Sequence, residues 1–291
     1  MKLSIIILNY KSKGLLKQCL KGIILSQPKI DYEIIVVDNN SGDKSLDMVK
    51  DILTKNYFSK QEKLVGHEII IPPYRTIQSP INGGFSAGNN IGIRASKGEY
   101  FMILNPDIAI VSGVIEKMVE YMDKNIQVGI VGPKLLNPDK TVQYSCRRFP
   151  NYLVPFFRRT VFGRLPFAKK LVENYLMIDF DHKKTVEVDW LFGACLLVRK
   201  SATEKIGLMD ERYFMYFEDM DYCRRFWENG YKIIYLSDVE IIHYHAQYSS
   251  EREGILGVLS RGGQIHLISG LKYFIKYYGK KFLVRNNLRS N

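Results

Sequence analysis

Two short, uninterrupted apolar runs near the N-terminus, Leu3-Ser4-Ile5-Ile6-Ile7-Leu8 and Glu33-Ile34-Ile35-Val36-Val37, constrain the fold more than any other feature of the 291-residue chain. A strand with one wet face alternates apolar and polar residues. These runs do not alternate, so they predict strands covered on both faces, as in a parallel sheet layered between helices. The lysine-bearing segment 15–25 between them has helical character, and the three pieces form a βαβ unit of about thirty residues. Both runs end in polar residues, Asn9-Tyr10 and Asp38-Asn39-Asn40-Ser41-Gly42. Ligands of open α/β sheets bind at such carboxyl ends.

Further along, a helix is expected from Ser45 to about Leu53, followed by a proline-punctuated excursion over 56–80 with a strand at 68–71. The run Asn82-Gly83-Gly84-Phe85-Ser86-Ala87-Gly88-Asn89-Asn90 opens another helix, and Tyr100-Phe101-Met102-Ile103-Leu104 is a buried strand ending at Asn105-Pro106-Asp107. A strand over 128–136 leads into 137–184, the least regular stretch, read as an insertion near an acceptor side. Regular patterning resumes over 186–198. Ser201 and Glu204 have capping-box spacing, and Gly207 stops that helix. A second helix should run from Glu218 to Gly230, with strands at 232–236 and 240–243. The expected organisation is a domain over 1–250, divided at 125, and a helical extension over 251–291. In that extension Ile265, Ile268, Ile275, Tyr278 and Phe282 share one helical face and Lys272, Lys276 and Lys280 another.

Asp38, at the end of a core strand, can accept hydrogen bonds from a ribose hydroxyl or a nucleobase amide, although Asp-Asn-Asn-Ser-Gly is equally what a turn uses. The glycine-rich segment offers backbone N–H groups at a helix N-terminus, where phosphates bind. Tight helix–sheet packing would use the same glycines. Asn105 and Asp107 are spaced to reach one side of an extended backbone, where oxygen ligands could hold Mg²⁺ or Mn²⁺; Asn-Pro-Asp is also a turn signal. Glu218, Asp219 and Asp221 crowd a helix start, where negative charge is favourable. Three such groups exceed what the helix needs, and mutual repulsion raises a pKa toward that of a general base. His243 and His245 close a late apolar strand and could add an imidazole to a metal.

The formal net charge of +12 calls for an anionic partner. Basic residues Arg147, Arg148, Arg158, Arg159, Arg164, Lys169 and Lys170 interleave with Phe156, Phe157, Phe162 and Phe167, and Lys272, Lys276, Lys280, Lys281, Arg285 and Arg289 crowd the C-terminus. That placement beside apolar faces argues for a membrane surface touched from the side rather than for nucleic acid. Cys19, Cys146, Cys195 and Cys223 lack metal-ligand spacing, and no cleavable signal precedes the first strand, so a reduced, cytoplasmic protein is expected. No apolar stretch reaches the roughly 18 to 20 residues that span a bilayer.

Taken in order, these motifs resemble the glycosyltransferase family 2 enzymes of GT-A fold, especially their bacterial rhamnosyltransferase-like branch. The resemblance runs from Leu3 to about Ser249 and rests on Asn9-Tyr10, the 37–43 and 82–90 segments, Asn105-Pro106-Asp107, Gly193-Ala194, Glu218-Asp219 and His243. It implies that Asn9, Tyr10, Asp38, Asn40, Gly84, Asn89 and Asn105 hold the donor nucleotide. It also implies that Asp107 and His243 bind Mn²⁺ or Mg²⁺, that Asp219 is the catalytic base with Glu218 its acidic neighbour, and that Trp190, Gly193, Ala194 and Asp221 lie on the acceptor side. Where the family has a first aspartate, this chain has Asn105. The implied reaction is inverting transfer of a sugar, L-rhamnose from dTDP-L-rhamnose in the first instance, to a lipid-linked glycan of O-antigen, capsule or cell wall at the inner leaflet. A UDP-sugar donor and a non-catalytic nucleotide- or glycan-binding module are the alternatives. A sugar-phosphate nucleotidyltransferase would need a glycine-rich, basic loop where this chain has Asn9-Tyr10-Lys11-Ser12-Lys13-Gly14.

Overall fold

A computed structural model describes residues 1–54, 57–58, 68–159, 161–244 and 260–280. The first two apolar runs form β1 (Leu3–Asn9) and β2 (Tyr32–Asp38), parallel and buried at every residue, joined by α1 (Lys13–Ser26). After α2 (Ser45–Ile52) come β3 (Tyr74–Gln78), α3 (Gly84–Ala95), β4 (Tyr100–Leu104), the short β5 (Ile108–Ala109), α4 (Val114–Lys124) and β6 (Val128–Leu136). The second half contains β7 (Cys146–Arg147), α5 (Val154–Arg159), α6 (Pro166–Leu176), β8 (Val186–Glu187), β9 (Trp190–Leu191), β10 (Cys195–Arg199), α7 (Lys200–Ile206), α8 (Glu218–Glu228), β11 (Lys232–His243) and α9 (Arg261–Lys276).

The main sheet runs β3-β2-β1-β4-β10-β6-β11-β5, with β8 on β11 and with β10 antiparallel to both of its neighbours. This is the expected α/β architecture with a mostly parallel sheet. One core packs α1, α2 and α4 on one face; the other lies under α3, α7, α8 and α9. At the strands' starting edge, Ser4 and Arg75 hold the buried Glu33 carboxylate at 2.7 Å each, which explains an acid inside an apolar run. On the opposite edge β1, β2 and β4 all end in polar residues around a point where strand order reverses.

Glycine sets how closely α3 lies on the sheet. A Cβ at Gly88 would sit 2.4 Å from the Leu8 side chain, and one at Gly92 2.3 Å from Ile6.

Several expectations are corrected. The third strand is Tyr74–Gln78, not 68–71, because Pro72 and Pro73 have no N–H to give; the ladder begins where Pro73 O accepts from Ile34 N. Ile69 is instead a buried plug, and the Gln27 carboxamide pairs with both backbone groups of Ile70. The 137–184 stretch contains two helices, α6 starting with Pro166 in its first turn, a position that favours proline. Ser201 lies inside α7 rather than capping it; strand β10 runs straight into the helix and Lys200 N donates to Glu99 O. Positions 232–243 are one strand with a register shift between Leu236 and Glu240.

The C-terminal helix packs by a different face from the one its aliphatic residues suggest. Gly263, Ser269, Gly270 and Tyr273 are buried, whereas Leu267, Ile268, Leu271, Ile275 and Tyr278 are exposed. Lys276 turns inward to Asp210 and Asp221. Phe282, Lys281, Arg285, Arg289 and His245 lie outside the described residues. No helix among the described residues is long and apolar enough to cross a membrane.

Gly88→Val forces a branched side chain against Leu8 and is expected to destabilise the protein by about 1–3 kcal/mol. Thermal unfolding checks it: an unchanged Tm contradicts the close approach of α3 to β1.

Candidate active site

The first cluster closes the ends of β1 and β2. Asn9 is fully buried and donates to Asp38 Oδ1 at 2.8 Å and to Ser41 Oγ at 3.2 Å. Asp38 also accepts from Ser41 N and Oγ and from Gln78 Nε2. Burial alone would raise this carboxyl, but the Ser41, Asn9 and Gln78 donors outweigh it and hold it below the usual carboxylate range. Asp38 is therefore a fixed anion, and the Asn9 Oδ1 beside it is buried with no hydrogen-bond partner. Asn40 is exposed in the left-handed region. Tyr10 is 42% exposed, its hydroxyl drawn down by a hydrogen bond with Asn82 and by Lys11 and Arg261.

Asn39 ties this cluster to the glycine-rich turn. Its carboxamide donates to Asn82 Oδ1 and Gly84 O and accepts from Gly83 N. Gly84 has φ +87 and touches the backbone of Phe214 so closely that a Cβ would lie 2.1 Å from the Phe214 carbonyl oxygen. Phe85 N donates to that same oxygen at 2.6 Å. The turn thus fastens the first half of the chain to the loop that leads into α8. Asn89, expected to line the nucleotide pocket, is 1% exposed and back-bonds to Phe85 O.

At the end of β4 the chain turns, with Ile108 N donating to Asn105 O, so Asn105 and Asp107 are not on an extended segment as their spacing suggested. Asp107 Oδ1 is buried with no hydrogen-bond partner among the described residues and lies 3.4 Å from His243 Nε2. Gln143 sets the imidazole: its amide nitrogen donates to His243 O and Asn137 Oδ1, so its Oε1 faces His243 Nδ1 as an acceptor at 2.8 Å. Nδ1 therefore faces Gln143 as a donor, and Nε2 is the nitrogen turned toward Asp107. Asp107 and His243 are thus a facing carboxylate and imidazole that could contribute two ligands to a divalent cation taking the rest from a bound anion or water, and no cluster of three such side chains occurs among the described residues. Gln143 is a site residue that the sequence reading missed.

The second acidic cluster starts α8. Asp219 accepts from Gly193 N at 3.1 Å and from Met220 N at 2.8 Å. A Cβ at Gly193 would contact both the Phe85 ring and Asp219, so these three residues are packed together. One residue on, Ala194 O accepts from Asn105 N at 2.9 Å. Through Gly193-Ala194 and that hydrogen bond, Asp219 and the Asp107 turn are held on neighbouring backbone. Burial raises the Asp219 carboxyl against the Gly193 and Met220 donors and the nearby Arg147. Glu218, 5% exposed with Oε2 lacking a partner, is pushed well above its ordinary value by burial and then by Asp219 and Asp221. A raised carboxyl beside an apolar ring is suited to take up a proton.

Asp221 is corrected. It is fully buried and bound to Arg225, Lys276 and Tyr277 at 2.9, 2.6 and 2.9 Å, so it anchors α9 instead of facing an acceptor. Trp190 is buried at 5% exposure, its indole N–H on Arg148 O. Arg147, also missed, lies 4.4 Å over the Phe192 ring and within the electrostatic reach of Asp219. The loop before α8 bears two successive non-glycine residues at positive φ, Tyr216 and Phe217, and α9 holds it in place: Ser269 donates to Met215 O, Lys272 to Arg212 O, and the Phe217 ring rests on Gly270.

A model described as glycosyl transferase family 2 matches residues 4–207. The N-acetylglucosaminyl-diphospho-decaprenol L-rhamnosyltransferase of Mycobacterium tuberculosis is 31% identical over 159 residues, 53% of this chain and 50% of that protein, so the chain spans about half its length. Rhamnosyltransferase WbbL of Escherichia coli K12 is 26% identical over 215 residues, covering 70% of this chain and 74% of WbbL. Among solved structures, S. aureus TarS 1-349 in complex with UDP-GlcNAc superposes with a TM-score of 0.58 at 18% identity, over 89% of this chain and 61% of that one. GalNAc-T7 with UDP, GalNAc and Mn²⁺ gives 0.58 at 14% identity over 84% and 43%.

A carboxyl raised in the folded state contributes stability below its unfolded value and loses it as pH rises through the folded value. Glu218→Gln, which cannot ionise, is therefore expected to gain in Tm over the parent protein as pH climbs above 4.5, with the gap closing below it. A gap that does not change with pH contradicts the assignment.

Proposed function

The chain belongs to glycosyl transferase family 2 and has the GT-A fold, and on that premise we propose that it is an inverting, metal-dependent enzyme that moves L-rhamnose from dTDP-L-rhamnose to a hydroxyl of a lipid-linked glycan. The observation that carries the reading is the hydrogen-bonded path from Asp219 through Gly193-Ala194 to the Asp107 turn, which supports a role for Asp219 as base near a cation held by Asp107. Rhamnose as the sugar is favoured by the names of the relatives in Mycobacterium tuberculosis and Escherichia coli, and a diphospho-polyprenol-linked acceptor by the first of them.

The nucleoside would lie along Asn9, Tyr10, Asp38 and Asn40, with the 82–85 turn beneath it and Asn105 at the sugar-proximal end. Asp107 and His243 Nε2 would hold Mn²⁺ or Mg²⁺, which when bound supplies positive charge for the departing diphosphate. Asp219 accepts the proton of the acceptor hydroxyl as that oxygen bonds to the anomeric carbon and the carbon–diphosphate bond breaks on the opposite face. The two N–H groups from Gly193 and Met220 orient the carboxylate without occupying all its lone pairs. Burial pushes the Glu218 carboxyl up and so opposes a second negative charge beside Asp219. The acceptor would approach the half-buried Asp219, and the lipid it carries would place the enzyme at the inner face of the cytoplasmic membrane.

Asp219→Asn is expected to retain nucleotide binding, seen as an unchanged thermal shift with donor, and to lose at least about 10²-fold in kcat; normal turnover by this variant removes the base. Gln143→Leu, which frees the His243 ring without touching a ligand atom, should raise the Mn²⁺ concentration needed for half-maximal thermal stabilisation by about 10- to 100-fold. An unaltered Mn²⁺ titration refutes the cation site.

A further inference from the structure

The positive charge of this protein is confined to two stretches. Residues 140–172 contain eight basic and no acidic residues, and residues 254–291 contain seven basic and no acidic residues. The rest of the chain has 27 basic against 30 acidic residues and is slightly negative. The structure brings the two stretches into contact: the Tyr152 ring lies 5.1 Å from that of Phe274 on α9, and its hydroxyl meets Tyr277 O at 3.4 Å.

Both stretches also expose large apolar side chains. On α9, Leu271, Ile275 and Tyr278 are 56%, 74% and 83% exposed; on the α5–α6 side, Leu153 and Phe167 are 54% and 62% exposed. These side chains stand out because the helices pack by other faces, α9 through Gly270 and Tyr273 and α6 through Ala168 and Tyr175. Around them lie exposed Lys272, Lys280, Arg164, Lys169 and Lys170.

We propose that residues 151–159, residues 161–172 and helix α9 form one composite surface that docks edgewise on an anionic lipid bilayer, apolar side chains entering the interface and lysines and arginines meeting the headgroups. A second copy of this chain is disfavoured as the occupant, because a symmetric contact would face one acid-free surface with another. A polyanion in solution would not need the Leu, Ile and Phe side chains. The surface deepens the lipid-linked-acceptor reading and rests on it. It assigns the helical 137–184 insertion a membrane role that α9 alone would not require.

The test is co-sedimentation of the full chain, without donor or acceptor, with vesicles of phosphatidylcholine alone or mixed with phosphatidylglycerol. Binding to the anionic vesicles is expected, weakening as salt rises. Leu271→Glu/Ile275→Glu on one element, and Leu153→Glu/Lys170→Glu on the other, should each weaken vesicle binding by about tenfold or more. Their Tm and their hydrolysis of donor by water should stay unchanged. Normal vesicle binding by the Leu153→Glu/Lys170→Glu protein overturns the composite surface, as does equal binding to neutral vesicles or a salt-resistant dimer that both variants abolish. Transfer to a water-soluble acceptor is measured alongside: its absence counts against the sugar-transfer reading, whereas lost vesicle binding with transfer intact counts only against the surface.

Discussion

The hydrogen bond from Asn105 N to Ala194 O is the contact on which the site depends. It extends the antiparallel ladder in which Leu104 faces Cys195, and so joins β4 to the turn that positions Asp219. Were β10 displaced by one residue, the side-chain period of two would turn Gly193 and Ala194 away together. Glycine at two points fits this closeness, as a strict requirement at Gly84 and as a tight fit at Gly193. Gly193 leaves room for the Phe85 ring and Asp219, and Gly84 lets the first half of the chain reach the Phe214 backbone.

The loop entering α8 is held by more than its own sequence. Two adjacent residues at positive φ cost on the order of 1–3 kcal/mol each and persist only where surrounding contacts over-determine them. Helix α9, which lies beyond the 4–207 family match, provides those contacts along its length, from Ser269 to Lys276. Asp221 is the deepest of them: a carboxylate at 0% exposure bound by Arg225 and Lys276 would be strongly destabilising if either cation were removed, by about 3–5 kcal/mol for a buried pair. The element that carries the exposed aliphatic stripe is therefore the same one that braces the loop entering α8.

Much of the fold was legible because β1, β2 and β4 are largely apolar runs, which parallel or fully covered strands require. The third strand was not: Ile69-Ile70-Ile71 is the more apolar run, yet the two prolines after it and the Gln27 side chain beside it decide where the ladder begins. Asp107, His243 and Asp219 stood out as polar residues at the ends of core elements. Gln143 did not, because its partner His243 lies 100 positions away and a lone glutamine in an irregular stretch has no local signature. Three acids within four helical positions cannot all face one cleft at 100° per residue, and that geometry separates Asp221 from Asp219. The inward face of α9 was equally hidden, since small and tyrosyl residues, not its leucines and isoleucines, make the contact.

The most direct test of the account is a crystal structure of the protein with Mn²⁺ and a nucleoside diphosphate-sugar. One donor molecule should run from Asn9 and Asp38 to a metal held by Asp107 and His243, with its anomeric carbon facing Asp219. A diphosphate bound with Asp107 and Asp219 on separate surfaces, or a metal that leaves both Asp107 and His243 untouched, would contradict it.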